Sequence, residues 1–151
     1  MPDYQPGDIC KFTTPEQEAR HPFAVIGKCD NDNYLGCMIT HGDPKIWVDN
    51  MPMSPSYFVE RDENGIAHEV FYSVENGVGS HFLKVGLEKC TGLDVYRAGR
   101  LTEEGLRELT RIVKKTAPEL WDVYVIYSRA QKEHNIRVAR SRARKLREKK
   151  L

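Results

Sequence analysis

The sequence predicts an α+β chain, mainly β, in which a small barrel or half-open roll of short strands is followed by C-terminal helices. Three observations predict it. Roughly the first ninety residues break into short apolar runs separated by Gly, Pro, Asn and Asp clusters. A helix start is spelled out at Thr102. From Arg129 onward the chain is strongly basic, with apolar residues at helical spacing.

Asp8 to Phe12 reads as the first strand, between Pro6-Gly7 and Thr13-Thr14-Pro15. Phe23 to Ile26 is a second apolar run, ended by Gly27. The Asp30-Asn31-Asp32-Asn33 cluster turns the chain, and Leu35 to Thr40 completes a hairpin. Further strands are expected at Ile46 to Val48, His68 to Tyr72 and His81 to Val85. Met51 to Pro55 and Asp62 to Gly65 read as loops. Thr102 caps a helix whose first turn carries Glu103 and Glu104, where acids complement the helix dipole, and Leu101 and Leu106 are spaced as a hydrophobic staple. Leu106, Leu109, Ile112 and Val113 form the stripe that packs on the β body. Thr116-Ala117-Pro118-Glu119 starts a second helix, with a strand as the alternative for the β-branched and aromatic run Trp121 to Tyr127. The organisation expected is a domain over residues 1–116, barrel plus packed helix, and a helical extension with a basic tail over 117–151.

A chain of 151 residues has room for one domain with a hydrophobic core. Its longest dense apolar stretch, Trp121 to Tyr127, is far short of the roughly 20 residues that span a bilayer. Met1 to Cys10 is polar and lacks a signal-peptide layout. A soluble, cytoplasmic protein with no membrane partner is therefore expected. Cys10, Cys29, Cys37 and Cys90 are scattered without a Cys-x-x-Cys pair or zinc spacing, so reduced, buried thiols, no metal and no cofactor are expected.

The net charge of +1 conceals a division. Arg129 to Leu151 holds ten Lys or Arg against two Glu, a surplus of eight, which leaves a net −7 on the other 128 residues. Within the tail Ile136, Ala139, Ala143 and Leu146 recur at steps of three and four, a narrow seam surrounded by arginines. Such a helix is a solvated appendage, a polyanion-binding arm or a partner-binding helix. Arg137, Arg140, Arg142, Arg144, Lys145 and Arg147 are the candidate nucleic-acid contacts.

Four segments, in order, resemble the MazF/PemK family of toxin endoribonucleases: Pro6-Gly7-Asp8-Ile9; the loop Glu16 to Arg20 running through His21-Pro22 into Phe23-Ala24-Val25-Ile26; Gly36-Cys37-Met38-Ile39-Thr40-His41; and Gly99-Arg100-Leu101-Thr102-Glu103-Glu104. The match spans roughly residues 5 to 113. It implies an SH3-like barrel, a homodimer, an antitoxin protein as partner, and cleavage of single-stranded RNA without a metal. In the family pattern an arginine just before the loop proline and a threonine at the strand end serve the chemistry. Thr40 matches the threonine; His21 holds the other place, with Arg20 one residue earlier.

Metal-free RNA cleavage needs a base for the 2′-OH proton, an acid for the leaving 5′-oxygen, and donors on the phosphate. His21 and His41 suit the proton transfers, Arg20 a forked grip on the phosphate, and Thr40 a hydrogen bond to it. The plainer reading makes His21 and His41 loop residues, Glu16 and Glu18 solvated charges, and His68 and His81 strand-flanking residues without a role. Gly77-Val78-Gly79 lacks the setting of a phosphate loop. Three functions compete: a toxin-type ribonuclease, a catalytically silent barrel that binds nucleic acid or protein, and an adaptor whose tail recruits a partner.

Overall fold

The computed structural model describes residues 3–13, 21–40, 51–75, 78–90 and 94–149. Its main feature is a six-stranded, wholly antiparallel sheet built from β1 (Asp8–Phe12), β2 (Phe23–Lys28), β3 (Asn33–Thr40), β4 (Met51–Pro52), β7 (His81–Lys89) and β8 (Val95–Arg100), in the order β4-β7-β3-β2-β1-β8. A two-stranded ribbon pairs β5 (Val74–Glu75) with β6 (Val78–Gly79). Two helices follow, α1 (Glu103–Thr116) and α2 (Pro118–Lys149). The six-stranded ladder is not closed into a barrel. Among the described residues its two edges are linked through the segment after β4, where Phe58 bridges Leu101, Val59 N–H donates to Arg100 C=O at 2.9 Å, and Thr102 N–H donates to Tyr57 C=O at 2.8 Å.

The local chemistry explains most elements. Asp30 Oδ1 accepts the Asp32 and Asn33 N–H groups at 2.8 and 2.9 Å, closing the β2–β3 turn. β2 runs through Gly27 instead of ending there. The register shifts at that point, and a Cβ on Gly27 would stand 2.5 Å from the Tyr124 ring, so the glycine makes room for α2. Gly7, at φ +92°, takes a conformation that side chains disfavour, and its carbonyl accepts Leu101 N–H at 2.7 Å. Buried Asp8 beside it accepts Gln5 N–H at 2.7 Å and lies 3.7 Å from both the Arg97 and Arg100 guanidiniums. The Gly-Asp pair is thus a structural joint of β1.

Two expectations from sequence, and one strand it did not announce, need comment. Ile46 to Val48 lies outside the described residues. His68 to Tyr72 is not a strand: Phe71 is held by side-chain packing, tucked against Gly99 and stacked on Phe58, without ladder hydrogen bonds. β8, which the Asp94-to-Arg100 sequence gave little sign of, pairs along β1 with a bulge between Ile9 and Cys10.

The sheet carries apolar side chains on both faces. One face, with Ile9, Ala24, Ile26, Leu35, Cys37, Ile39 and Phe82, is covered by Leu109, Ile112 and Val113 of α1, each side chain contributing about 1.5–3 kcal/mol by burial. The reverse face gathers Cys10, Phe12, Phe23, Val25, Tyr34, Cys90 and Val95, without helix residues. All four cysteines are buried thiols outside any disulfide.

Thr102 caps α1, its Oγ1 accepting Gly105 N–H at 3.2 Å. The Trp121 to Tyr127 run is helical. Leu120, Trp121 and Tyr124 turn to the core at helical spacing, leaving Val123 and Ile126 exposed. α2 continues without a break to Lys149, and none of its residues is buried. Among the described residues, no helix is long and apolar enough to cross a membrane.

Candidate functional site

Antiparallel pairing brings three chemically useful side chains into one row at one end of the sheet. Phe23 pairs with Met38, and Ile39 N–H donates to Pro22 C=O at 2.9 Å, so the register sets His21 directly across from Thr40. Thr40 in turn pairs with His81 of β7, and His81 with Pro52 of β4. Residues directly opposite each other share a face, with Cβ atoms about 4.5–5.5 Å apart. Alternation along β3 assigns that face. Ile39 packs under the helices, so Thr40 stands on the reverse, with Phe23 and Met38 as neighbours.

The row is graded in exposure. His21 is exposed, Thr40 is 5% exposed and His81 is 2% exposed. His81 is held firmly on one side: its Nδ1 lies 3.0 Å from Gly79 C=O, which can only accept, so Nδ1 carries the proton. In the neutral ring this leaves Nε2 as a bare acceptor, and Nε2 is buried with no hydrogen-bond partner among the described residues. Such an orphan costs about 1–3 kcal/mol. The neighbouring Ser80 is fully engaged, donating to Phe71 C=O at 2.9 Å and accepting Ser73 N–H at 3.1 Å, so the start of β7 is rigidly stitched to the segment before it.

Of the residues singled out from sequence, His21 and Thr40 are brought together, while Arg20 and His41 lie outside the described residues, as do Glu16 and Glu18. His81, read as a strand-flanking residue without a role, joins the row. The only sequence signal for it was a histidine at the start of a strand. His68 is pinned through Nδ1, 3.0 Å from Val59 C=O, in the turn region Asp62 to Gly65 closes. Among the described residues, no group of three or more His, Cys, Asp or Glu is placed to hold a metal.

The basic residues of the tail lie elsewhere. α2 leaves the body across the opposite end of the sheet. Tyr124 lies against Gly27, Tyr127 Oη donates to Asn31 Oδ1 at 2.8 Å, and Tyr127 to Asn135 flank a cleft of about 350 Å³ shared with Asp3 to Pro6 and Lys28. Lys28 is fixed there by a 2.7 Å ion pair with Asp3, which raises the lysine's pKa. Beyond Asn135, Arg137, Arg140, Arg144 and Arg147 line one side of the helix, and Arg142 and Lys145 fall on another. Ile136 and Leu146 of the seam are 50% and 61% exposed.

No protein-family model matches the chain, and comparison with characterised proteins and with solved structures finds no match either.

Proposed function

We propose that the protein is a metal-independent endoribonuclease of the toxin type acting on single-stranded RNA, with an SH3-like body of the MazF/PemK kind. The observation that carries this reading is the His21–Thr40–His81 row: an exposed histidine across from a strand-end threonine, with a second, half-satisfied histidine beside it on the same face. The link from the segment after β4 to the end of β8 supports a rolled-up body.

In this mechanism the 2′-oxygen attacks the adjacent phosphorus, the P–O5′ bond breaks, and a 2′,3′-cyclic phosphate and a 5′-hydroxyl result. His21 exchanges a proton with the reacting oxygens, His41 serves as its counterpart, and Thr40 Oγ1 donates to a non-bridging oxygen. Arg20 takes the phosphate charge. His81 does not touch the RNA: its buried ring fixes the floor beneath Thr40. The family reading also brings a homodimer and an antitoxin protein as partners, in the cytoplasm.

The test is to incubate purified protein with single-stranded RNA, with and without excess chelator, and to analyse fragment ends. Cleavage giving cyclic phosphate ends, insensitive to chelator and reduced about 10²-fold or more in a folded Thr40→Val variant, is the expected result. Full inhibition by chelator reversed by magnesium, or an unchanged rate in Thr40→Val, refutes it.

Two observations favour a second reading, a catalytically silent RNA-binding relative. Thr40 is only 5% exposed, and a histidine stands where the family pattern has arginine. Binding without any cleavage is its signature.

A further inference from the structure

α2 is a 32-residue helix, so it is about 48 Å long at 1.5 Å per residue. Asn135 is its last residue to flank the cleft shared with Lys28 and Asp3 to Pro6. The stretch from there to Lys149 extends about 21 Å further, and it carries the arginine stripe Arg137, Arg140, Arg144 and Arg147. Lys28 ends β2 and His21 precedes its start. The seven steps between them measure about 23 Å at 3.3 Å per residue. The helix therefore passes the Lys28 end of β2, about 23 Å along the strand from the row, before its arginine stripe begins.

We propose that the stripe is a second RNA-binding site, separate from the cleavage row, that anchors the phosphate backbone of long substrates. The proposal rests on the reading of the chain as a protein that binds and cuts RNA. Charge selects the occupant. From Arg129 onward ten basic residues face two acidic ones. A second copy of this helix laid along the Ile136–Ala139–Ala143–Leu146 seam would bring arginine against arginine. A polyphosphate chain meets no such repulsion, and arginine forks suit phosphate oxygens.

Geometry then sets a length requirement. Arg137 to Arg147 spans about 15 Å of helix. Adding the roughly 20 Å back to the row gives about 35 Å, or roughly ten nucleotides at 3.4 Å per phosphate of a stacked strand. A pentanucleotide reaches only one of the two sites. A 20-nucleotide strand occupies both and gains from the linkage.

The experiment measures binding of 2′-O-methyl oligouridylates, which lack the attacking hydroxyl, at 5 and 20 nucleotides. The proteins are the full chain and a variant with Arg137→Gln, Arg140→Gln, Arg144→Gln and Arg147→Gln. Glutamine keeps helix propensity, and circular dichroism checks that α2 persists. The expected result is that the variant loses at least 10-fold affinity for the 20-mer and less than 2-fold for the 5-mer. The slope of log affinity against log salt for the 20-mer falls by about three, since each lost phosphate contact on a single strand removes about 0.7.

Equal losses for both lengths overturn the proposal, because the stripe would then belong to the same site as the row. Unchanged RNA affinity with a halved mass in solution also overturns it and makes the helix a protein interface; unchanged affinity and mass leave it a solvated appendage and overturn it as well. Cleavage is measured separately on unmodified RNA. Length-dependent binding without cleavage by the full chain removes the enzyme reading and leaves the second site standing.

Discussion

His81 offers the sharpest way to separate chemistry from architecture, because its two ring nitrogens contribute to stability with opposite sign. Nδ1–H makes a 3.0 Å hydrogen bond to Gly79 C=O, a contact contributing about 1 kcal/mol net. Nε2 is buried without a partner among the described residues, which costs about 1–3 kcal/mol. Leucine has a similar volume and removes both at once. The balance for His81→Leu is therefore between no change and a gain of about 2 kcal/mol. An ordinary buried histidine with both nitrogens satisfied would instead lose stability.

Cleavage should move the other way. If His81 fixes the floor under Thr40, replacing it with a mobile aliphatic chain lets the hydroxyl drift, and a displacement of about 1 Å costs on the order of 10²-fold in rate. The loss should fall on kcat and leave KM nearly untouched, since the buried ring does not contact RNA. Urea unfolding at constant m-value gives the stability side, and steady-state cleavage of a short RNA gives the other. A midpoint lowered by more than about 2 kcal/mol in stability, with kcat unchanged, would refute the reasoning and make His81 an ordinary core residue.

Two further outcomes test the fold itself. Gly36 and Gly86 pair across β3 and β7, yet a Cβ on Gly36 would collide with Ala24 C=O whereas one on Gly86 meets nothing within 4 Å. Gly36→Ala should cost about 3 kcal/mol or more by forcing β2 and β3 apart, and Gly86→Ala should change stability by no more than about 0.5 kcal/mol, both read from thermal unfolding. The thiols should be inert in the native state: burial raises Cys29 to about 11, and a hydrogen bond with Cys90, with burial added, pushes Cys10 far above the ordinary thiol range. A chromogenic disulfide reagent at pH 8 should therefore titrate all four cysteines only after denaturant is added, and rapid reaction of Cys10 or Cys29 in the folded protein would contradict their placement.

Elements whose signals are local were legible in the sequence. β1 is entered through Pro6-Gly7, which does form a turn, Asp30 closes the β2–β3 hairpin with its own side chain, and Thr102 caps α1 at the expected residue. What escaped depended on distant partners. The β8 segment is interrupted by Arg97, Gly99 and Arg100, and becomes a strand because Asp8 and the bulged β1 ladder pair with it. His68 to Tyr72 has strand-like composition, but Phe71 finds a better position in the notch over Gly99 than any ladder would give it. The Trp121 to Tyr127 run was ambiguous by propensity. Its periodicity decides the matter, since a strand would have divided Trp121, Tyr124 and Leu120 between two faces, whereas a helix delivers all three to the core.

The same distinction governs the candidate site. His21 and Thr40 could be singled out because a hairpin joins their strands, and a hairpin of known turn fixes its own register. His81 could not. It reaches Thr40 only through the β3–β7 pairing, and a slip of one residue in that register would turn its ring to the helix-covered face and present Phe82 in its place. The tail shows the converse. Its charge and seam were plain from sequence, but its position relative to the row was not, because that depends on Gly27 admitting the Tyr124 ring and on Asn31 receiving Tyr127. Those two contacts steer α2 across the end of the sheet away from His21. On the proposed reading, the row and the tail's arginines are thereby two separate sites, and a substrate that uses both has to be long enough to bridge them.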